Sequence, residues 1–193
     1  MKLKPIHKII LAAALCLALA VGGWLFMHKD MTGAPYSEIE AYIAAHPHKI
    51  VRYTVTLGSG EAAMTLTNED TAAALTNAAQ ADDMIAQAEY LQHLTEIRAD
   101  GIAPAQILAL REAFPAADVV FDGVEFLGQT ITADSTVLDF SALTADRLED
   151  AAQYILLPKQ LETIVLSKNG AVSSLNLEQA AQLQAARPEA KLS

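Results

Sequence analysis

The side chains able to do chemistry are few and scattered. His46 and His48 in "AHPHK" stand two apart, a spacing met in some metal sites, but no acidic or cysteine partner lies beside them. A histidine at a helix end also suits the helix dipole. Gly58 and Gly60 in "LGSGEAA" lack the third glycine and the lysine of a phosphate-cradling loop, so a hairpin turn is the better reading. No serine sits in G-x-S-x-G. The only cysteine, Cys16, lies in an apolar run, which leaves no thiol nucleophile and no intramolecular disulfide. Asp82–Asp83 and Glu149–Asp150 read as solvated helix charges. No catalytic, cofactor-binding or metal-binding residue is assigned, no cofactor is expected, and the chain is read as a non-enzyme.

The 193 residues carry a net charge of −10, with a pI near 4.8. Nucleic-acid binding usually shows a basic patch, so that class of partner is excluded. Residues 9–27, "IILAAALCLALAVGGWLFM", hold no charge and approach the length that crosses about 30 Å of hydrocarbon. Lys2, Lys4 and Lys8 precede them. The expectation is a cytoplasmic segment 1–8, a transmembrane signal-anchor 9–27, a linker 28–35 and an extracytoplasmic domain 36–193. Cleavage after "ALA" at 18–20 is the rival reading, and a lipoprotein is disfavoured by the large Leu15 before Cys16. Residues 31–193 carry 9 Lys/Arg against 22 Asp/Glu, a net of −13 that anionic lipid repels.

What must position any site is a pattern that recurs. "SEIEAYIAAHP" at 37–47 opens a helix, with Ser37 and Glu40 at capping-box spacing, and "IVRYTVTLG" at 50–58 reads as a strand. "AQILALREAFP" and "VVFDGVEFLG" repeat the order at 105–115 and 119–128. Pro47 and Pro115 lie 68 residues apart, as do Val51 and Val119. "AAMTLT" at 62–67 answers "TVLDFS" at 136–141. Helical sequence follows each, at 69–92 and 145–157. "LTEIRADG" at 94–101 answers "LETIVLSKNG" at 161–170, and "NLEQAAQLQAARP" at 176–188, capped by Asn176 and Gln179, answers the helix at 105–115. After Pro188 the chain runs into "EAKLS", where the first copy has a strand. An unfinished repeat is expected there, with an exposed apolar edge on helix 176–187 and weak self-association.

Leu161, Ile164, Leu166 and Asn169 in "LETIVLSKN" follow the L-x-x-L-x-L-x-x-N pattern, and the chain resembles a divergent leucine-rich-repeat protein of a bacterial envelope. The resemblance implies a short, irregular α/β solenoid with parallel strands, crossover helices and a buried Asn169 bonded to backbone at the turn. The alternatives are an α/β domain of parallel strands and crossover helices, and an exposed turn at "KNG".

In such a solenoid the residues alternating outward on the strands would be Thr65, Thr67, Glu96, Arg98, Asp100, Val137, Asp139, Ser141, Thr163, Val165 and Ser167. Short polar side chains on an exposed sheet suit protein recognition. The expected function is a membrane-anchored module that binds a protein or another envelope component. A spacer within a larger surface array and an extracytoplasmic enzyme of unknown reaction stand beside it.

Overall fold

Pro47, Pro115 and Pro188 punctuate the chain in the same way. Each follows the C-cap of a ten-residue helix: α1 (Tyr36–Ala45), α3 (Pro104–Ala113) and α5 (Leu177–Ala186). The caps His46, Phe114 and Arg187 share one backbone conformation, with φ/ψ of −135/61, −125/66 and −142/75. Crowding by the following proline ring keeps these residues out of the helical region. In each case the cap carbonyl then accepts from the N–H three residues on, at 2.9 Å (Lys49), 3.0 Å (Ala117) and 3.1 Å (Ala190). A proline-centred turn thus sends the chain from helix to strand three times.

The computed structural model describes Leu17, Gly23 and residues 26–193. The chain divides into two compact units, residues 1–55 with 67–69, and residues 56–66 with 70–193. In the first, β1 (His28–Asp30) pairs in parallel with β2 (Ile50–Arg52) across α1, whose Ile39 is fully buried. Asn68 holds the end of this unit: its Oδ1 accepts from Tyr53 N at 2.9 Å and its Nδ2 donates to Val51 O at 3.0 Å. Next in the chain, β3 (Thr54–Leu57) and β4 (Met64–Thr67) are paired, and Gly58 and Gly60 lie in the loop that joins them.

The second unit holds two three-stranded parallel ladders. One consists of β5 (Ala72–Leu75), β6 (Glu96–Ala99) and β7 (Asp118–Val120), with α2 (Ala78–Ala86) and α3 as crossovers. The other consists of β10 (Val137–Asp139), β11 (Thr163–Val165) and β14 (Lys191–Leu192), with α4 (Leu148–Tyr154) and α5 as crossovers. Two hairpins form sheets of their own, β8 (Val124–Phe126) with β9 (Gln129–Ile131), and β12 (Ser167–Lys168) with β13 (Ala171–Val172). The alternation along the strands decides which side is covered. Ala73, Leu75, Ile97, Ala99, Val119, Leu138 and Ile164 are buried, and Ile107, Leu110, Ile155 and Leu183 face them from the helical segments.

Arg111 and Arg187 clamp one turn of this unit from two helix ends. Arg111 Nη1 donates to Leu156 O at 3.3 Å and Leu157 O at 2.8 Å, and Arg187 Nη2 donates to Pro158 O at 3.1 Å and Lys159 O at 3.0 Å. Four successive carbonyls left over beyond α4 are thereby satisfied. Burial pulls the Arg111 guanidinium below its ordinary pKa, while Asp118 opposes the shift.

Several expectations are corrected. The strands form small separate sheets, so a continuous solenoid sheet is not built. The physical cause is the hairpin β8–β9, which stands between the two ladders in sequence, while the second "aromatic strand" 119–128 breaks at Gly123 into β7 and β8. Among the described residues no transmembrane helix is found. The longest helices among the described residues have ten residues, about 15 Å at 1.5 Å per residue, and none is long and apolar enough to cross a membrane. Of the stretch 9–27, only Leu17, Gly23, Phe26 and Met27 belong to the described residues, and segment 1–8 lies outside them. Residues 28–35 are not a plain linker, since β1 lies in them. Ser37 does not cap α1. Pro35 occupies the N-cap, and its ring already sets an extended entry to the helix.

Asn169 is exposed, at φ 51, and with Gly170 at φ 84 it forms the two-residue loop of β12–β13. Two adjacent left-handed residues match the twist of a hairpin, and Asn-Gly is the pair that adopts them most easily. Within the expected helical stretch 69–92, Ala72–Leu75 form the strand β5, and "EAKLS" continues into a strand, β14. The capping box at Asn176 and Gln179 is present, with bonds of 2.9 and 3.0 Å.

Candidate functional site

The side chains that could meet a ligand gather where the parallel strands end. Around β10 the arrangement is built by the hairpin β8–β9. Phe126 anchors that hairpin, stacked on Tyr154 at 4.1 Å and edge-on to Phe140 at 5.5 Å, with the Arg147 guanidinium 4.5 Å from its ring. The anchored hairpin then presents Gln129, whose Nε2 donates to Asp139 O at 2.6 Å and whose Oε1 accepts from Asp139 N at 3.0 Å. One side-chain amide takes the place of a neighbouring strand.

Asp139 is therefore fixed by its own backbone, and its carboxylate is fixed as well. Oδ1 accepts from Ser141 Oγ at 2.7 Å and Ser141 N at 3.1 Å, and Oδ2 lies 2.8 Å from Lys168 Nζ. The bond from Lys168, followed by the hydroxyl and amide of Ser141, holds the Asp139 pKa down at about 2. These groups open onto a depression of about 400 Å³ also lined by Leu127, Gly128, Val137 and Ala142. Val137 is 52% exposed.

Leu127 sits in the left-handed region at φ 51, although nothing in its side chain favours that conformation. A branched residue there costs roughly 1–2 kcal/mol, and Asn or Gly would relieve it. Strain of this kind is concentrated at binding and catalytic positions.

A second polar group stands at the carboxyl ends of β6 and β7. Arg98 Nη1 lies 3.2 Å from Asp122 Oδ1 and 3.4 Å from Asp100 Oδ2, while Asp100 Oδ1 accepts from Asp122 N at 2.8 Å. Glu96 pairs in register with Asp118, and Lys159 Nζ lies 2.7 Å from Asp118 Oδ1. Like charges opposite one another on neighbouring strands are destabilising, and Lys159 offsets this pair.

The exposed positions read from the sequence divide accordingly. Arg98 and Asp100 fall together, with Glu96 at the amino end of the same strand, and Val137, Asp139, Ser141, Thr163 and Val165 fall together, with Val137 in register with Thr163 and Asp139 with Val165. Thr65 and Thr67 lie on β4, which pairs with β3 and belongs to neither parallel ladder. Ser167 is exposed on the hairpin β12–β13. Of the repeat positions, Leu161 and Ile164 are buried, Leu166 is half-buried and Asn169 is exposed. Sequence reasoning missed Gln129, Lys168, Asp118 and Asp122. A signal for the last two was present in the alternation around Val119; none marked Gln129.

The arrangement fixes the charge of Asp139 between Lys168 and Ser141. A carboxylate with a pKa near 2 is a weak base for the Ser141 hydroxyl it accepts from, and Lys168 is paired with the same carboxylate. His46 stacks on Tyr42 at 4.3 Å, and its Nδ1 lies 3.1 Å from Tyr42 O. Among the described residues no three His, Cys, Asp or Glu side chains gather as a metal site requires.

No protein-family model matches the chain, and neither a curated protein nor a solved structure matches it.

Proposed function

We propose that the chain is a protein-binding module without catalytic activity, whose recognition surface is the carboxyl end of the parallel strands in the second unit. One observation carries the reading. Asp100 and Asp122 come just after β6 and β7 and cluster with Arg98, while Ser141 comes just after β10 and clusters with Asp139 and with Lys168 of β12, so each ladder carries a polar group near the carboxyl end of its strands, the end at which open parallel sheets bind ligands. Pre-formed ion pairs and short polar side chains there favour a partner surface of matched polarity. The second unit carries 7 Lys/Arg and 19 Asp/Glu, a net of −12, so it steers basic partners toward itself and repels acidic ones.

The test compares proteins retained by the full chain and by two charge variants, read by quantitative mass spectrometry. Asp122→Lys changes the strand ends, and Glu112→Lys makes the same charge change on α3. Proteins kept by the wild type and by Glu112→Lys but lost by Asp122→Lys are the expected result. If no retained protein depends on the strand ends, the reading fails.

A further inference from the structure

The depression at Asp139 already holds one basic side chain, that of Lys168. Asp139 is an ionised carboxylate with a fixed orientation, since Oδ1 is taken by Ser141 Oγ and N while Oδ2 faces Lys168 Nζ at 2.8 Å. Around it are apolar surfaces, namely half-exposed Val137, exposed Ala142 and strained Leu127. A carboxylate at one end and an aliphatic wall beside it match a lysine or arginine side chain, whose stem is apolar and whose head is charged.

Lys168 reaches the carboxylate from an exposed hairpin. Residues 167–172 are exposed throughout, and Ser173 N–H to Leu166 O (2.8 Å) and Ser174 N–H to Leu143 O (3.0 Å) close the hairpin's base. Its side chain is 55% exposed, so the ion pair with Asp139 contributes little to stability and exchanges readily. The depression, about 400 Å³, has room for a second side chain beside the first.

We propose that this depression is a socket for a single basic side chain of the partner, and that Lys168 occupies its carboxylate in the free protein as an internal competitor. The proposal rests on the protein-binding reading for the origin of that side chain. A partner's lysine or arginine displaces Lys168 from Asp139, the stem lies on Val137 and Leu127, and the hairpin β12–β13 is released to contact the partner.

The experiment uses the full 193-residue chain, labelled with nitrogen-15, and the capped tripeptide acetyl-Gly-Lys-Gly-amide. The control peptide carries norleucine, which keeps the stem and removes the charge. Wild type is expected to bind the lysine peptide weakly, with shifts confined to the amides of Gly128, Gln129, Asp139 and Ser141. Lys168→Ala removes the competitor and is expected to tighten binding about fivefold, because the fraction of free socket rises. The norleucine peptide should shift none of these amides. Equal affinity in wild type and Lys168→Ala, equal response to norleucine, or shifts elsewhere on the protein would each overturn the socket. The peptide assay needs no natural partner. A socket that binds lysine while the strand ends retain no protein would sink the broader reading alone, and the opposite pair of results would sink the socket alone.

Discussion

The side-chain amide of Gln129 brackets the backbone of Asp139, donating to its carbonyl at 2.6 Å and accepting from its N–H at 3.0 Å. An edge strand presents free donors and acceptors that invite pairing with another chain, and this amide blunts β10 without adding a strand. Gln129→Ala leaves both groups unpaired in a partly buried place. A loss of about 1–3 kcal/mol is expected in denaturant unfolding. Gln129→Glu should do at least as badly, because the carboxylate cannot donate to Asp139 O.

Leu127 is held at φ 51 on the wall of the depression. Leu127→Ala and Leu127→Asn both remove the apolar side chain, but Asn tolerates the left-handed conformation. The Asn variant is expected to be more stable than the Ala variant by about 1 kcal/mol in a thermal or denaturant melt. Equal stability would mean that the turn relaxes when the leucine is removed.

Asn169 offers the complementary case. Its exposed place in the hairpin loop, at φ 51, assigns its contribution to backbone conformation and not to burial. Asn169→Gly should leave the melting temperature unchanged, and Asn169→Ala should lower stability by about 1 kcal/mol. A large loss in both variants would restore the buried-amide role read from the sequence.

The carboxylate of Asp139 sets a pH window. Its folded pKa, about 2, lies below the ordinary aspartate value, so its contribution to stability is present above about pH 4 and is lost as pH falls toward 2. Lys168 is the largest cause of that shift. In Lys168→Ala the Asp139 titration, followed by carbon-13 NMR of its carboxyl group, is expected to move upward toward the ordinary carboxylate range. An unmoved midpoint would assign the shift to Ser141 alone.

Arg111 tests whether the two bonds donated by its Nη1 are needed at the turn after α4. Arg111→Lys keeps the charge on a shorter side chain that stops short of the Nη1 position donating to Leu156 O and Leu157 O, and a cost of about 1–3 kcal/mol is expected in denaturant unfolding. Arg111→Met, which retains the apolar stem, separates packing from the loss of the donors.

The parts of the fold legible in the sequence were those with a local cause. Prolines ended the three helices, Asn176 and Gln179 capped α5, and the β-branched runs marked β2, β7 and β11. Strand β5 was hidden because "TAAAL" has helical composition. Only the burial of Ala73 and Leu75, alternating with exposed Ala72 and Ala74, selects the extended form. The site was legible in part. Glu96, Arg98, Val137 and Asp139 followed from alternation, whereas Gln129 and Lys168 act across hairpins whose docking is a tertiary matter. "LETIVLSKN" misled because a pattern of leucines and an asparagine describes buried strand positions and a hairpin tip equally well.

The parallel pairings govern how the chain assembles. Each joins residues only 22 to 28 positions apart, from His28 with Ile50 to Ile164 with Leu192. Loop-closure entropy grows slowly with length, so every pairing meets a similar and modest barrier, and none waits for the far end of the chain. Strand addition therefore proceeds by neighbours. The separation into distinct ladders also lets each open on its own, which hydrogen exchange would show as protection that rises and falls in blocks: residues 72–75, 96–99 and 118–120 together, and residues 137–139, 163–165 and 191–192 at a different free energy.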